Sequence, residues 1–457
     1  MYTTTLSSGI WGFIVRMSLR FTERRLLSGL LLFSILINNG FFHIISSNSK
    51  ILDMLQMVVF AIAFMMMLRA QRKNGKLLKN VKAAFWYLAY ITFFLGFQFF
   101  NCCIVHHAPI SEFLGNGGAA YVYVFFFPIV LTCFFLDNRT EILLNKIAVI
   151  TVILLTVVVV NTFFRNRTGI SLLPFSYYTE TLGNRNGRIR IWDLSVFMGI
   201  MAVYSFYRLR TEKGRKSKGF SLYLMVLVFA SVVYVEQTRM ELLALLFTLA
   251  IMFMLQISNR KVRTAVYILG IPIAICCLLV YVPRSSLFQS FSTSGQYGLQ
   301  TSVRFAGMSY AIEQFISKPF TGYGMHMSDF VINHSGIQFL YSHKDIGIIG
   351  TLGRLGLFYS GVYIIPMLYY GYFLIRNSKE IGRKYTRPEY SFLAGLYVYL
   401  MFTTISLLVT DSVRIYAWPF YLALFEFYRK RDTYKISPHN QRWLTLNEKI
   451  DSCKHNI

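Results

Sequence analysis

Twelve stretches of this chain are apolar over roughly the length of a lipid bilayer, and no other property restricts its fold as strongly. Lipid offers no partner to an exposed backbone N–H or C=O. A spanning segment of this kind therefore closes its hydrogen bonds internally, as a helix of about 20 residues. The runs cover residues 26–46, 51–68, 83–101, 119–136, 147–164, 191–208, 220–235, 241–257, 264–282, 346–375, 391–409 and 415–428. The first lacks a small-residue cleavage site and is followed closely by the second, so it reads as a retained helix. The expected fold is all-α: a single integral membrane domain over residues 1–457, a polytopic bundle of about twelve helices.

Charge supplies an independent check on that parse. Only 14% of the residues are charged, against about 25% in soluble domains. The 46 Lys and Arg exceed the 20 Asp and Glu by 26, a surplus that in a soluble chain would suggest nucleic-acid binding. Sorted by alternate loops, 33 of the basic residues fall in the set containing both termini and 12 in the opposite set, with Arg354 inside a span. Basic residues accumulate on the cytoplasmic side, so both termini and the loops at 69–82 and 208–218 are expected there. The surplus is thus topogenic, and no nucleic-acid partner is expected. The six cysteines show no CxxC or Cys/His ligand spacing and read as packing residues.

Three segments of the opposite face are long enough for function: residues 102–118, 165–190 and 283–345. The last is the largest and is expected to form a compact loop region with short amphipathic helices, carrying much of the active site. Arginines on this face oppose the charge rule. Arg239 sits in the very short turn Glu236-Gln237-Thr238-Arg239-Met240-Glu241, where it either pairs with a neighbouring glutamate or faces a ligand. Arg304 opens an apolar-periodic stretch through Ile312 and Phe315 that ends at Lys318-Pro319-Phe320-Thr321-Gly322-Tyr323-Gly324. That pattern predicts an amphipathic helix closed by a tight glycine turn, its arginine either solvated or functional. His343-Lys344-Asp345 stands directly before the next apolar run, so a structural histidine and a catalytic one both fit. Arg165, Arg167, Arg185, Arg188, Arg190 and Arg284 add positive field, suited to an anionic ligand or to lipid headgroups.

A helix-start arginine in a short outer turn, a large loop with arginine, helix and K-P-F-x-G-x-G, and then a histidine heading a helix: this layout resembles the O-antigen polymerase and O-antigen ligase superfamily of bacterial envelope glycosyltransferases. The match runs from about Thr238 to Gly361, and the remaining helices agree in number and hydropathy. The resemblance implies a GT-C-like bundle in the bacterial cytoplasmic membrane. It implies transfer of a glycan from an undecaprenyl-pyrophosphate carrier on the periplasmic face, without metal or cofactor. The expected partners are the carrier-linked donor and acceptor, membrane lipids and a chain-length regulator. By resemblance Arg239 and Arg304 hold the pyrophosphate and His343 assists the acceptor hydroxyl. Arg188, Arg190, Gly322, Tyr323, Gly324 and Asp345 line the substrate. The chain departs from the superfamily in carrying Lys344 and Asp345 after the histidine, and Arg354 where an acidic residue is frequent.

Those residue types suit the implied chemistry. Negative charge gathers on the leaving phosphate, and a guanidinium offers it a permanent charge and a planar fork. An imidazole with an ordinary pKa near 6.5 can take the proton of an attacking hydroxyl. Asp345 is two residues from His343, a spacing that points the two apart on a helix. Polymerisation of repeat units is favoured over ligation. A lipid-linked oligosaccharide flippase is the non-enzyme alternative; transporters, however, tend to place charges mid-membrane and to show related halves. A metal-dependent transferase would want paired acids in the first outer loop, which offers Asn48, Ser49, Lys50 and neighbouring Asp53.

Overall fold

A computed structural model describes residues 24–37, 49–73, 75–170, 172, 183–185, 188–190, 196–259, 261, 298–326, 329–334, 337–382, 384–411 and 414–431. The expected span at 264–282, Arg284 and both chain ends lie outside these residues. The helices used below are α1 (24–37), α2 (Ser49–Lys73), α3 (Gly75–Phe99), α4 (Phe127–Asp137), α5 (Glu141–Thr168), α6 (Met198–Thr211) and α7 (Arg215–Ala230). They continue with α8 (Arg239–Gln256), α9 (Gly298–Ser317), α10 (Gly347–Leu355), α11 (Ile364–Asn377), α12 (Arg387–Thr403) and α13 (Trp418–Lys430). The loops add two antiparallel hairpins, β1 (Gly183–Arg185) with β2 (Arg188–Arg190), and β3 (Asp329–His334) with β4 (Ile337–Ser342).

Among the described residues, seven helical stretches are long and apolar enough to cross a membrane. They are Met54–Lys73, Lys79–Val105, Ala120–Asp137, Glu141–Thr168, Arg215–Glu236, Arg239–Gln256 and Leu357–Glu380. Their outer faces remain apolar. On α5, Val149, Ile153 and Val160 are exposed, and on α8, Leu243, Leu246 and Phe247. Both sets repeat at helical spacing, which makes continuous greasy stripes of a kind that soluble monomers avoid and lipid accepts. The chain is a multi-pass membrane protein.

Three of the expected spans form shorter helices: α6 has 14 residues, α12 has 17 and α13 has 13. Every residue of α13 from Trp418 to Tyr428 is buried, as are nine of the eleven in α4, which packs against it. Helices that are apolar all round belong inside a bundle. Proline near the first turn, Pro128 in α4 and Pro419 in α13, suits a helix start whose N–H groups lack intrahelical partners. α12 begins with a capping box: Thr386 Oγ1 accepts from the Glu389 N–H (3.3 Å), and Glu389 Oε2 accepts from the Thr386 N–H (2.9 Å).

The apolar run 346–375 is one span by hydropathy but two helices in space. It breaks at Gly356, whose φ of +68° and ψ of −168° lie in a region almost closed to other residues. A Cβ there would collide with the carbonyl of Phe320. α3 supplies donors to carbonyls around the break: Gln98 to Leu355, Tyr90 to Phe358 and Tyr87 to Val362.

Candidate functional site

α10 and the 3-10 turn before it, His343–Ile346, form the centre of the candidate site. His343 and Arg354 are each only 4% exposed. They are eleven residues apart, yet Arg354 Nη1 lies 2.9 Å from His343 Nε2. Long side chains on a helix lean toward its N-terminus, which carries the guanidinium back up α10. Gly350 admits the turn: a Cβ there would strike the His343 carbonyl. The same Arg354 nitrogen is 3.5 Å from His343 Nδ1, so the guanidinium lies against the imidazole ring and faces both of its nitrogens. Asp345 is exposed.

Arg304 lies in α9, which packs alongside α10. Gly353 meets the backbone of Ala311, and Val303 joins Ile346, Ala311 and Tyr323 in a small core of their own. Arg304 is half-buried two helical turns before Ala311, on the helix that carries Val303 to the His343 turn. The structure thus brings the helices of Arg304 and His343 together. The Lys318–Gly324 stretch after α9 clasps the far end of α10. The Tyr323 N–H donates to the Gly353 carbonyl (3.2 Å), the Gly324 N–H to that of Arg354 (2.7 Å) and the Leu357 N–H to that of Pro319 (2.6 Å). Gly322, at φ +59°, leaves no room for a Cβ against the Arg354 carbonyl. Gly324 thus bonds the backbone of Arg354, Tyr323 that of its neighbour Gly353, and Gly322 lies against both.

Four groups not among the sequence candidates complete this end. Arg354 itself is the first; a lone basic residue within an apolar span was its signal. Asn101, buried in the π-helical turn that extends α3, lies against the clasp: a Cβ at Gly324 would be 2.5 Å from its Nδ2 and 3.2 Å from His326 Nδ1. The rings of His106 and His326 stack with centroids 4.0 Å apart. Burial lowers the pKa of His326 to about 4, aided by His106, Lys318 and Arg354, while burial and then Lys318 and His107 lower that of His106. Both rings are neutral at pH 7 in a field of positive charge.

Arg239 is the first residue of α8 and is half-buried. Before it, Gln237 takes the left-handed conformation (φ +52°), which folds the turn back sharply. The turn assembles a pair of buried carboxylates that i,i+5 spacing does not reveal. Thr238 Oγ1 lies 3.4 Å from Glu236 Oε2 and 3.3 Å from Glu241 Oε2, and Tyr399 Oη donates to Glu241 Oε1 (3.1 Å). These carboxylates, with Tyr399 and Arg414, line a cavity of about 20 Å³, room for one water. β2, which carries Arg188 and Arg190, packs against the π-turn Ser231–Glu236 just before it.

The C-terminal end of α12 connects Arg239 and His343. Tyr399 meets Glu241 on one side, and five residues later the Thr404 carbonyl accepts from the Ile348 N–H of α10 (2.9 Å). Arg239 and His343 thus sit on elements that adjoin that end of the bundle, and Arg304 sits on the helix packed against α10. Compared with protein-family models and with curated protein sequences, the chain matches none.

Proposed function

We propose that this chain polymerises polyprenyl-pyrophosphate-linked oligosaccharide repeat units into a surface polysaccharide. The reading takes the protein as a GT-C-like bundle of about twelve helices in the bacterial cytoplasmic membrane, with both termini cytoplasmic and the His343 end outward. Its partners are the carrier-linked donor and acceptor, surrounding lipids and a chain-length regulator. The observation that supports it best is the buried Arg354 guanidinium set against the His343 ring, 2.9 Å from Nε2 and 3.5 Å from Nδ1, beside the helix of Arg304.

The chemistry follows from that pair. An arriving pyrophosphate competes for the Arg354 guanidinium, because a charge-assisted bond to phosphate is stronger than one to a neutral imidazole. Arg354 then holds the phosphate, and His343 turns a ring nitrogen to the acceptor. His343 takes the proton of the acceptor hydroxyl as its oxygen attacks the anomeric carbon from the face opposite the carrier. The carbon–oxygen bond to pyrophosphate breaks, the anomeric centre inverts, and the electron pair leaves on the phosphate. Arg304 and Arg239 add charge that strengthens as the phosphate becomes more negative. Gly322, Tyr323 and Gly324 set the place of Arg354, and Arg188 and Arg190 extend the positive field toward the Arg239 turn.

The test is a strain lacking this chain, examined by surface-glycan gel and by carrier-linked glycan extraction. Single repeat units where the parent strain shows a ladder are the expected result. Long carrier-linked chains missing from the surface would replace polymerisation by ligation, and an unchanged ladder would reject both.

A further inference from the structure

At the other end of α5 a second site takes shape. The apolar spans Ala120–Asp137 and Glu141–Thr168 stop and start there, three residues apart, with Asn138 in the left-handed conformation (φ +51°) turning the chain. Between this turn, the start of α12 and the end of α13 lies a cavity of about 460 Å³, within the range of small-ligand sites. It is at the level where apolar helices end, which in a bilayer is the level of the headgroups.

The wall carries both signs of charge: Arg139 and Arg431 against Glu141 and Glu389. Arg431 donates to Glu389 Oε1 (2.5 Å) and to the Lys384 carbonyl (3.3 Å). Burial works to raise the pKa of Glu389, but Arg431 and the Thr386 N–H outweigh it and hold the carboxyl ionised. Glu141 Oε1 accepts from Tyr207 Oη (3.2 Å), and Asn145, also in the wall, accepts from Tyr204 Oη (2.8 Å). A purely anionic guest would meet two carboxylates, and a purely cationic one two guanidiniums. A guest carrying a phosphate and an ammonium satisfies both. The wall also contains Ile142, and Val149, Ile153 and Val160 repeat its position at i+7, i+11 and i+18. At 3.6 residues per turn these lie on one face, so an exposed apolar track leads from the cavity along α5.

We infer that this cavity is a headgroup site for a phospholipid with a phosphate and a primary ammonium, of the phosphatidylethanolamine class, whose acyl chain follows the α5 track. The phosphate faces Arg139, and the ammonium donates to Glu141. The inference does not depend on glycosyl transfer.

The full-length protein, equilibrated with vesicles of equimolar phosphatidylethanolamine, phosphatidylcholine and phosphatidylglycerol, is analysed by native mass spectrometry for retained lipid. Phosphatidylethanolamine should be enriched about tenfold over phosphatidylcholine, whose trimethylated ammonium donates no hydrogen bond, and also over phosphatidylglycerol. Glu141→Gln and Arg139→Gln should each remove most of that enrichment. Retention of the three lipids in the proportions supplied overturns the assignment on the unmodified protein alone, and so does an unchanged preference in a folded Glu141→Gln variant. Soluble phosphoethanolamine should compete weakly; competition as strong as the lipid's would make the guest a free zwitterion and overturn the lipid assignment.

Discussion

The α10 clasp buries an arginine and the α12–α13 end of the bundle half-buries several, and the two give them different partners. At the α12–α13 end the partners are carboxylates: Arg431 with Glu389, Arg429 with Glu426 (2.7 Å), Lys430 with the same Glu426 (3.1 Å), and Arg24 with Asp137. In the clasp, Arg354 lies against the His343 imidazole, and the rings of His106 and His326 stack nearby. A guanidinium neutralised by a carboxylate offers little to an incoming anion, whose charge the carboxylate also repels. One set against an imidazole keeps its full charge, which under the proposed function holds a phosphate. The contrast separates carboxylate-paired arginines, which tie helices together and offer an anion little by themselves, from Arg354, which the proposed function gives to the phosphate.

The sharpest way to break this contrast is to remove one arginine from each side. Arg354→Gln should lower chain growth on carrier-linked substrate by about 100-fold to 1000-fold, the usual loss for a preorganised contact to developing charge. Arg354→Lys should stay well below wild type, because the fork is lost. Arg431→Gln should leave turnover per folded molecule near wild type. Equal losses in the folded fractions of Arg354→Gln and Arg431→Gln, judged by size exclusion and circular dichroism, would abolish the distinction.

A pair of glycines sharpens it on the side of stability. Gly356→Ala must move the Phe320 carbonyl as well as adopt a disfavoured backbone, and should cost about 3 kcal/mol or more. Gly382, in the turn before α12, has a φ of +90° but open space around it, so Gly382→Ala should cost only about 1 kcal/mol. Thermal melting in one detergent compares them. A smaller loss at Gly356 than at Gly382 would mean that the clasp is not held as tightly as its contacts imply.

Glu426→Gln leaves Arg429 and Lys430 without their shared carboxylate. With Arg429 partly open to solvent, the expected loss is about 1–2 kcal/mol, less than for a fully buried pair. Melting temperature should fall while turnover per folded molecule holds.

At neutral pH the smallest effect belongs to the stacked imidazoles, whose response shows only as pH falls. His326 titrates near 4 when folded against an ordinary 6.5, so the unfolded chain binds more protons between those values. The stabilisation is complete above about pH 6.5 and fades as pH falls toward 4. Its sign is therefore opposite to that of a histidine stabilised by a carboxylate. His326→Phe, which keeps a ring for stacking, should flatten the dependence of melting temperature on pH over that window. An unchanged slope would place the titrating group elsewhere.

Most of the helical framework is legible in the sequence, because a bilayer demands apolar length and the charge rule reads loops one by one. The amphipathic α9 and its stop at Lys318-Pro319 are also local features, set by residues a few positions apart. The break at Gly356 is not, since the carbonyl that forbids a side chain there belongs to Phe320, thirty-six positions earlier. Nor is the carboxylate pair at Thr238, which needs the left-handed Gln237 to fold Glu236 back toward Glu241.

By itself, then, the sequence determined that this chain is a bundle of apolar helices with basic loops and a cluster of arginine, glycine and histidine between Thr238 and Gly361. Only the tertiary structure decided that Arg354 is the partner of His343, that Gly322 to Gly324 serve the backbone of Arg354, and that a two-signed cavity opens between Glu141 and Arg431. The physical reason is range. Hydropathy and helix caps act over one or two turns and are written in neighbouring letters. A buried hydrogen bond or a cavity wall is chosen by whichever distant segments the packing brings within 3 or 4 Å.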